Sequence, residues 1–212
     1  MKATGGIAHT VGVLGHELRN PLAAALTGAA LLRELVDADD PRRRIADGVT
    51  HELQRMSALI DSYLDFARCG QAKKEPVQLA VVLAASASRR QGVTVDGALD
   101  AEVLGDRALL ERAFDNLIDN AFAAGAHAVR IDARIVGATL KISVEDDGPG
   151  VPPELRARIF EPGYSRHGST GLGLGFVAEV LRAHRGAIAC ENGSCGARFV
   201  LRMPLPAACA EA

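Results

Sequence analysis

The sequence predicts a long antiparallel helical hairpin followed by an α+β sandwich, with helices packed on one face of a mixed sheet. Three observations carry this expectation. Apolar residues recur in steps of three and four through roughly the first 65 positions, the spacing of one helix face. A polar stretch from Gly70 to Glu75, carrying Lys73 and Lys74, then ends that pattern. Beyond it, short alternating segments of the kind that form half-buried strands are interleaved with further helical stripes.

The first stripe runs through Val11, Leu14, Leu18, Leu22, Leu26, Ala29 and Leu32. Asp37-Ala38-Asp39-Asp40-Pro41 breaks it, and Asp40 before Pro41 has the form of an N-cap followed by proline at the first helical position. The second stripe is Ile45, Val49, Leu53, Met56, Ile60, Tyr63 or Leu64, and Ala67. Two helices of roughly 25 to 30 residues joined by a short turn make an antiparallel hairpin. One hairpin cannot bury both stripes. Two hairpins paired into a four-helix bundle can, so a homodimer is expected.

After the linker, Val77 to Arg90 reads as a short strand leading into a helix, and Val93 to Asp96 and Glu102 to Leu104 as extended segments around a turn. Asp106 caps a helix that continues to Ala124 and stops at Gly125. Ala128 to Val136 and Thr139 to Glu145 alternate as a hairpin closed near Gly137. A Gly/Pro-rich loop precedes a helix from Leu172 to His184. The last strands, Ala187 to Glu191 and Ala197 to Met203, are joined by Asn192-Gly193-Ser194. The chain thus divides into residues 1–70, a linker at 71–75, a second domain at 76–206 and a frayed tail at 207–212.

Composition narrows the function. Of 212 residues, 48% are hydrophobic and 24% charged, which describes a folded globular chain rather than a disordered one. The net charge is −2, there is no Trp, and six Phe and two Tyr offer little for stacking on bases, so nucleic acid is not an expected partner. The longest apolar-looking run, Pro21 to Leu32, is too short to span a bilayer, and no secretory leader is visible. Direct membrane insertion is therefore not expected. Cys69, Cys190, Cys195 and Cys209 lack the paired spacing of a zinc site and read as free thiols in a reducing, cytoplasmic compartment.

Four stretches carry chemistry. In Gly15-His16-Glu17-Leu18-Arg19-Asn20-Pro21, Asn20 shares a helix face with His16. Pro21 cannot bond the Glu17 carbonyl and crowds it, so a bend is expected just past the histidine. A carboxylate on one imidazole N–H raises the basicity of the other nitrogen and fixes the tautomer. Those are the parts of a phosphate acceptor, although a lone helical His-Glu is more often a surface pair. In Asn116-Leu117-Ile118-Asp119-Asn120 the two amides sit four apart, where both oxygens can meet one small cation such as Mg2+. Two asparagines bonded to backbone are the plain alternative.

In Asp146-Asp147-Gly148-Pro149-Gly150, at a strand end, a carboxylate can accept from an exocyclic amine while glycines let backbone approach a ring. An ordinary turn would look the same. Gly168-Ser169-Thr170-Gly171-Leu172-Gly173-Leu174-Gly175 opens the last helix and aims backbone N–H groups and a positive dipole end at an anion. It is neither a dinucleotide fingerprint nor a Walker loop, and a flexible hinge is the bland reading.

Taken in order, with Ile159-Phe160-Glu161-Pro162 added, these stretches resemble the sensor histidine kinases of bacterial two-component systems over nearly the whole chain. The resemblance implies a dimerisation and phosphotransfer hairpin followed by an ATP-binding catalytic domain of the Bergerat (GHKL) type. Carried over, His16 is the phosphoacceptor, Glu17 the acid that orients it and takes its proton, and Asn20 the residue that helps water attack a phosphorylated receiver domain. Asn116 and Asn120 correspond to Mg2+ ligands, Asp146 to the adenine-reading carboxylate, and Gly148 and Gly150 to the glycines beside it. Gly171, Leu172 and Gly173 fall in the phosphate-facing run, with Pro152 to Thr170 as a mobile lid. Two positions depart from the pattern. Ala123 stands where many relatives carry lysine, so that phosphate contact is either missing or supplied by Arg166 or His167. Gly163 stands where many have an aromatic, which bears on how the lid is anchored.

The expected activity is therefore an ATP-dependent autokinase that phosphorylates His16 and passes the phosphoryl group to an aspartate of a response-regulator receiver domain, with phosphatase activity on that partner a further expectation. A hydrolytic relative of the same ATPase fold would need glutamate where Asn116 stands. The alternative is a dimeric phosphotransfer scaffold or phosphatase with a degraded ATP domain. An anti-sigma serine kinase, the third candidate, would have no use for the hairpin. Because few residues precede His16, either a separate sensor protein delivers the signal or the chain is the catalytic part of something longer.

Overall fold

Helix α1 (Thr4–Glu34) and helix α2 (Pro41–Cys69), of 31 and 29 residues, form the predicted hairpin. The computed structural model describes residues 4–37, 39–164, 171–193 and 195–206, and side chains from Glu17 onward. The chain divides into two compact units between Arg68 and Cys69. Residues 207–212, expected to form a frayed tail, lie outside the described residues. Pro21 does not end α1, which continues through it as a single helix. The turn is set as the sequence predicts: Asp40 accepts the amide of Arg42 at 2.8 Å and Pro41 opens α2. The guanidinium of Arg42 also grips Asp40 and, with that amide, holds its carboxyl down at about 2.

Two ion pairs tie the helices, Arg19–Asp61 at 2.7 Å and Arg33–Asp47 at 3.2 Å, both symmetric about Asp40 as an antiparallel pairing demands. The hairpin buries little by itself. Leu22, Ala29 and Leu64 are covered, yet Leu31, Leu32, Ile45, Val49, Met56 and Tyr63 are exposed, Tyr63 by 74%.

The second unit begins with strand β1 (Glu75–Gln78) and helix α3 (Leu79–Ala87), followed by strands β2 (Val93–Gly97) and β3 (Glu102–Gly105). Helix α4 (Arg107–Ala123), strands β4 (Val129–Val136) and β5 (Thr139–Asp146), helix α5 (Gly173–Ala183) and strands β6 (Ala187–Asn192) and β7 (Ala197–Pro204) complete it. The segments expected to flank a turn, β2 and β3, go to different sheets. β3 pairs antiparallel with β1, while β2 lies parallel to β4 at the edge of a five-stranded sheet ordered β2-β4-β5-β7-β6. Parallel pairing needs a crossover, and β3 plus α4 supply it.

Alternation in the sheet puts Ile131, Ala133, Ile142, Val144, Phe199 and Leu201 on the covered face. Arg130, Asp132, Arg134, Lys141, Ser143, Glu145 and Arg198 stand on the other face. Leu83 of α3, Phe114, Leu117 and Ile118 of α4, and Phe176, Val177 and Leu181 of α5 are buried, one helical layer on one sheet. Arg89 and Arg90, just past α3, pair with Asp115 and Asp119 on the outer side of α4. Asp106 caps α4 through Oδ1, accepting from Ala108 and Leu109 at 3.1 and 3.2 Å.

Candidate functional site

Asn116 lies one face-turn before Asn120 on α4, which carries Leu117, Ile118 and Ala121 inward and leaves Asn120 exposed. The Asn116 side chain donates Nδ2–H to the Arg112 carbonyl at 2.8 Å, which orients its Oδ1 away from its own helix. That oxygen meets the first turn of α5: a Cβ built on Gly173 would lie 2.8 Å from it. Any side chain at Gly173 would push the Asn116 amide aside. The fold thereby brings two stretches more than fifty residues apart in sequence to one spot, an amide oxygen beside a helix N-terminus.

A small hard cation suits such a place, since it takes oxygen ligands and keeps several for phosphate or water. Among the described residues no group of three His, Cys, Asp or Glu side chains could hold a metal ion, so a bound Mg2+ would rely on the amides and on a ligand's phosphates.

Asp146 ends β5 and is 7% exposed. Its Oδ1 accepts from the amides of Gly148 at 2.9 Å and Ala197 at 3.1 Å, which fixes the carboxylate plane. Among the described residues its other oxygen makes no hydrogen bond, leaving one acceptor for an incoming donor. Gly196 is packed against it so closely that a Cβ would stand 2.5 Å from Oδ1. The neighbouring Asp147 has a structural task. Its Oδ1 accepts from the amides of His127 and Ala128 at 2.7 and 2.9 Å, and those N–H groups, Ala128 foremost, hold its carboxyl below the usual range.

Gly150 has φ +73 and faces Asn192, whose Oδ1 accepts the amide of Val151 at 3.1 Å. The loop that bears Asp146 is thus latched to the β6–β7 turn. Neither Asn192 nor Gly196 is distinguishable in the sequence from ordinary turn residues.

Between this loop and α5 the segment from Pro152 to Tyr164 is folded onto the domain rather than loose. Two short 3-10 turns, Pro153–Leu155 and Arg158–Phe160, bury Ile159 and set Phe160 edge-on to Phe199, with centroids 6.3 Å apart. At its far end the Gly163 amide donates to the Gly171 carbonyl at 3.0 Å. Gly171 has φ +66, and a Cβ there would stand 2.6 Å from the Gly163 carbonyl carbon. An aromatic side chain is not what closes this segment; two glycine backbones are. Leu172 caps α5, and Gly173 is its first residue.

Arg166, His167 and the rest of 165–170 lie outside the described residues, as does the side chain of His16 in α1. Glu17 and Asn20 are exposed on that helix, and Ala123, the last residue of α4, is exposed as well.

Comparison with known proteins fits both units. The description "His Kinase A (phospho-acceptor) domain" matches residues 9–71, and "Histidine kinase-, DNA gyrase B-, and HSP90-like ATPase" matches residues 105–207. The chain is 33% identical to the alginate biosynthesis sensor protein KinB of Pseudomonas aeruginosa, over 90% of this chain and 36% of that one. It is 31% identical to the sensor-like histidine kinase SenX3 of Mycobacterium tuberculosis, over 90% of this chain and 52% of that one. It therefore spans about half or less of these relatives' length. Among solved structures, full-length ShkA in complex with AMPPNP superposes with a TM-score of 0.69 at 28% identity, covering 93% of this chain and 46% of that one. No helix among the described residues is long and apolar enough to cross a membrane. The phosphoacceptor match on the hairpin and the ATPase match on the sandwich, in one chain and in that order, make it a member of the sensor histidine kinases of two-component systems.

Proposed function

We propose that this chain is a cytoplasmic protein-histidine autokinase that uses Mg·ATP to phosphorylate His16 and passes the phosphoryl group to an aspartate of a response-regulator receiver domain. The observation that carries the reading is the approach of Asn116 Oδ1 to Gly173, which joins a cation-binding amide to the N-terminus of α5. Asp146 adds an open carboxylate oxygen suited to the amino group of adenine, and Gly148 and Gly150 keep that wall free of side chains. Asn116 and Asn120 would hold Mg2+, which when bound neutralises phosphate charge. The backbone of Gly171, Leu172 and Gly173 would face the phosphates, and Arg166 would add a cationic contact from the preceding segment.

Phosphoryl transfer has a loose transition state, so the residues chiefly position and neutralise. The imidazole nitrogen of His16 forms a bond to the γ-phosphorus as the bond to the oxygen of ADP breaks, and Glu17 receives the imidazole proton. An amide at Asn116 cannot serve as the base for water attack, which favours transfer over hydrolysis. Asn20, on the His16 face of α1, would serve the reverse traffic, orienting water towards the phosphorylated partner.

The exposed apolar stripe of the hairpin supports a homodimer. Leu31, Leu32, Ile45, Val49 and Met56 are long side chains left open in a single copy, and a second hairpin would cover them as a four-helix bundle. A separate sensor protein or a further part of a longer chain would supply the input.

Incubation with γ-labelled ATP and Mg2+ tests the reading. Acid-labile, alkali-stable label is expected on the wild-type chain and none on His16→Ala, with nucleotide affinity unchanged in that variant. Label that persists in His16→Ala, or a wild-type chain that stays unlabelled, refutes it.

A further inference from the structure

Three polar side chains are buried among the described residues: Ser86, Asp146 and His184. Ser86 bonds the Glu111 carbonyl between α3 and α4, and Asp146 belongs to the site above. His184 has no part in phosphotransfer, yet its surroundings are closely fitted.

His184 is the C-cap of α5 and is 5% exposed, with both ring nitrogens engaged. Nε2 accepts the amide N–H of Asp106 at 2.8 Å. A nitrogen that accepts an N–H carries no proton, so Nδ1 is the protonated one and donates to the Val180 carbonyl at 2.7 Å. The absent side chain of Gly105 provides the room: a Cβ there would stand 2.5 Å from Cδ2 and 2.7 Å from Nε2. Asp106 in turn caps α4, and its Oδ2 accepts the amide of Lys73 at 3.2 Å, in the segment that leads into this domain.

These contacts have a geometric consequence. Helices α4 and α5 lie antiparallel and pack along their length, with a close polar approach at each end. At one end His184 of α5 touches Asp106 of α4; at the other Gly173 of α5 meets Asn116 of α4. Ten or eleven helical residues separate the two places, roughly 15 Å at a rise of about 1.5 Å per residue. The buried apolar faces between these ends set the distance between the helices. A directional hydrogen bond at the far end also restrains their angle, and with it the gap between the Asn116 amide and the first turn of α5.

We propose that His184 is a positioning residue for the nucleotide cradle. It clamps the start of α4 to the end of α5 and so holds the cation-binding amide and the phosphate-facing helix end at their working separation, while Asp106 extends the same clamp to the backbone at Lys73. The inference rests on the reading that this domain binds Mg·ATP. Space filling alone does not account for the arrangement, since an apolar ring would leave the Asp106 N–H buried without an acceptor.

Two substitutions in the full chain separate positioning from packing. In His184→Gln the amide oxygen falls near the place of Nε2 and can still accept from Asp106. In His184→Asn the shorter amide can still donate to Val180 but cannot reach Asp106. Mg·ATP affinity is read by displacement of a fluorescent ATP analogue, alongside the thermal midpoint and amide exchange at Asp106 and Lys73.

His184→Asn should weaken Mg·ATP at least about fivefold and raise the KM for ATP. The rate at saturating nucleotide should be kept, and exchange at both amides should be faster. His184→Gln should stay within about twofold of wild type on every readout. Equal affinity in wild type and His184→Asn overturns the proposal, as does a loss in His184→Gln as large as in His184→Asn. Should His184→Asn fail to fold, Gly105→Ala displaces the ring while keeping every hydrogen-bonding group, and unchanged affinity there overturns the proposal equally. A wild-type chain that binds no nucleotide refutes the functional reading itself, and this inference with it.

Discussion

The Asp146 carboxylate offers a substitution whose effects on binding and on stability can be separated in advance. Its Oδ1 holds two backbone amides, while Oδ2 makes no hydrogen bond among the described residues. Asp146→Asn keeps an oxygen for Gly148 and Ala197 and puts an NH2 group where Oδ2 was. The protein's own bonds survive, and the bond to an adenine amino group becomes a clash of donors. A hydrogen bond to a charged acceptor contributes about 1.5–3 kcal/mol, so ATP affinity should fall roughly 10- to 150-fold with little change in melting temperature.

Asp146→Ala removes Oδ1 as well and leaves the buried Ala197 N–H and the part-buried Gly148 N–H without that partner. At about 1–3 kcal/mol each, partly relieved by water, this costs roughly 2–4 kcal/mol, or about 6–12 °C in melting temperature for a domain of this size. Calorimetric titration with ATP and with an inosine nucleotide, paired with thermal melts, reads both effects. Inosine carries a carbonyl where adenine has its amine, so Asp146→Asn should narrow or reverse the wild-type preference for ATP. Wild-type ATP affinity in Asp146→Asn would refute the assignment of this carboxylate to the adenine amine.

Other perturbations test other parts of the fold. Gly171→Ala places a Cβ at φ +66 and 2.6 Å from the Gly163 carbonyl carbon, so it should lower ATP affinity and cost about 1–3 kcal/mol in chemical denaturation; a neutral outcome would show that the two glycines do not close the segment. Arg19→Ala should destabilise the hairpin by no more than about 1 kcal/mol, because the Arg19–Asp61 side chains are 36% and 33% exposed, and the double variant Arg19→Asp with Asp61→Arg should recover part of the loss in thermal melts. Asp40 has a carboxyl held down at about 2 against an ordinary value of 3.8, so the stability it contributes is complete above the ordinary value and lost as pH falls through the folded one. Melting temperatures of wild type and Asp40→Asn should therefore differ at pH 6 and converge only below about pH 2.

Much of this arrangement is legible locally. Helical stripes, the Asp40-Pro41 and Asp106 caps and the alternation of β4, β5 and β7 are short-range properties, because periodicity and capping depend on neighbours within one or two turns. The Asn116, Asp146 and Gly171–Gly173 stretches stand out for the same reason, since each groups its chemistry within a few residues. What the sequence alone determined about this protein is therefore its two-part organisation, its elements and the residues that carry its chemistry.

Tertiary structure decided which of those surfaces meet. Asn192 holds Val151 from 41 residues away, Ala197 reaches Asp146 across 51, and His184 takes the Asp106 amide across 78. No local pattern marks these partners: a turn asparagine and a helix-end histidine look alike whether they latch a loop or face water. The separate destinations of β2 and β3 were hidden for the same reason, because both are short and partly exposed and their pairing partners, β4 and β1, lie far along the chain or across a helix. Periodicity records which face of an element is apolar; only chain closure, with its excluded volume and its demand that buried polar groups be bonded, chooses what that face will touch.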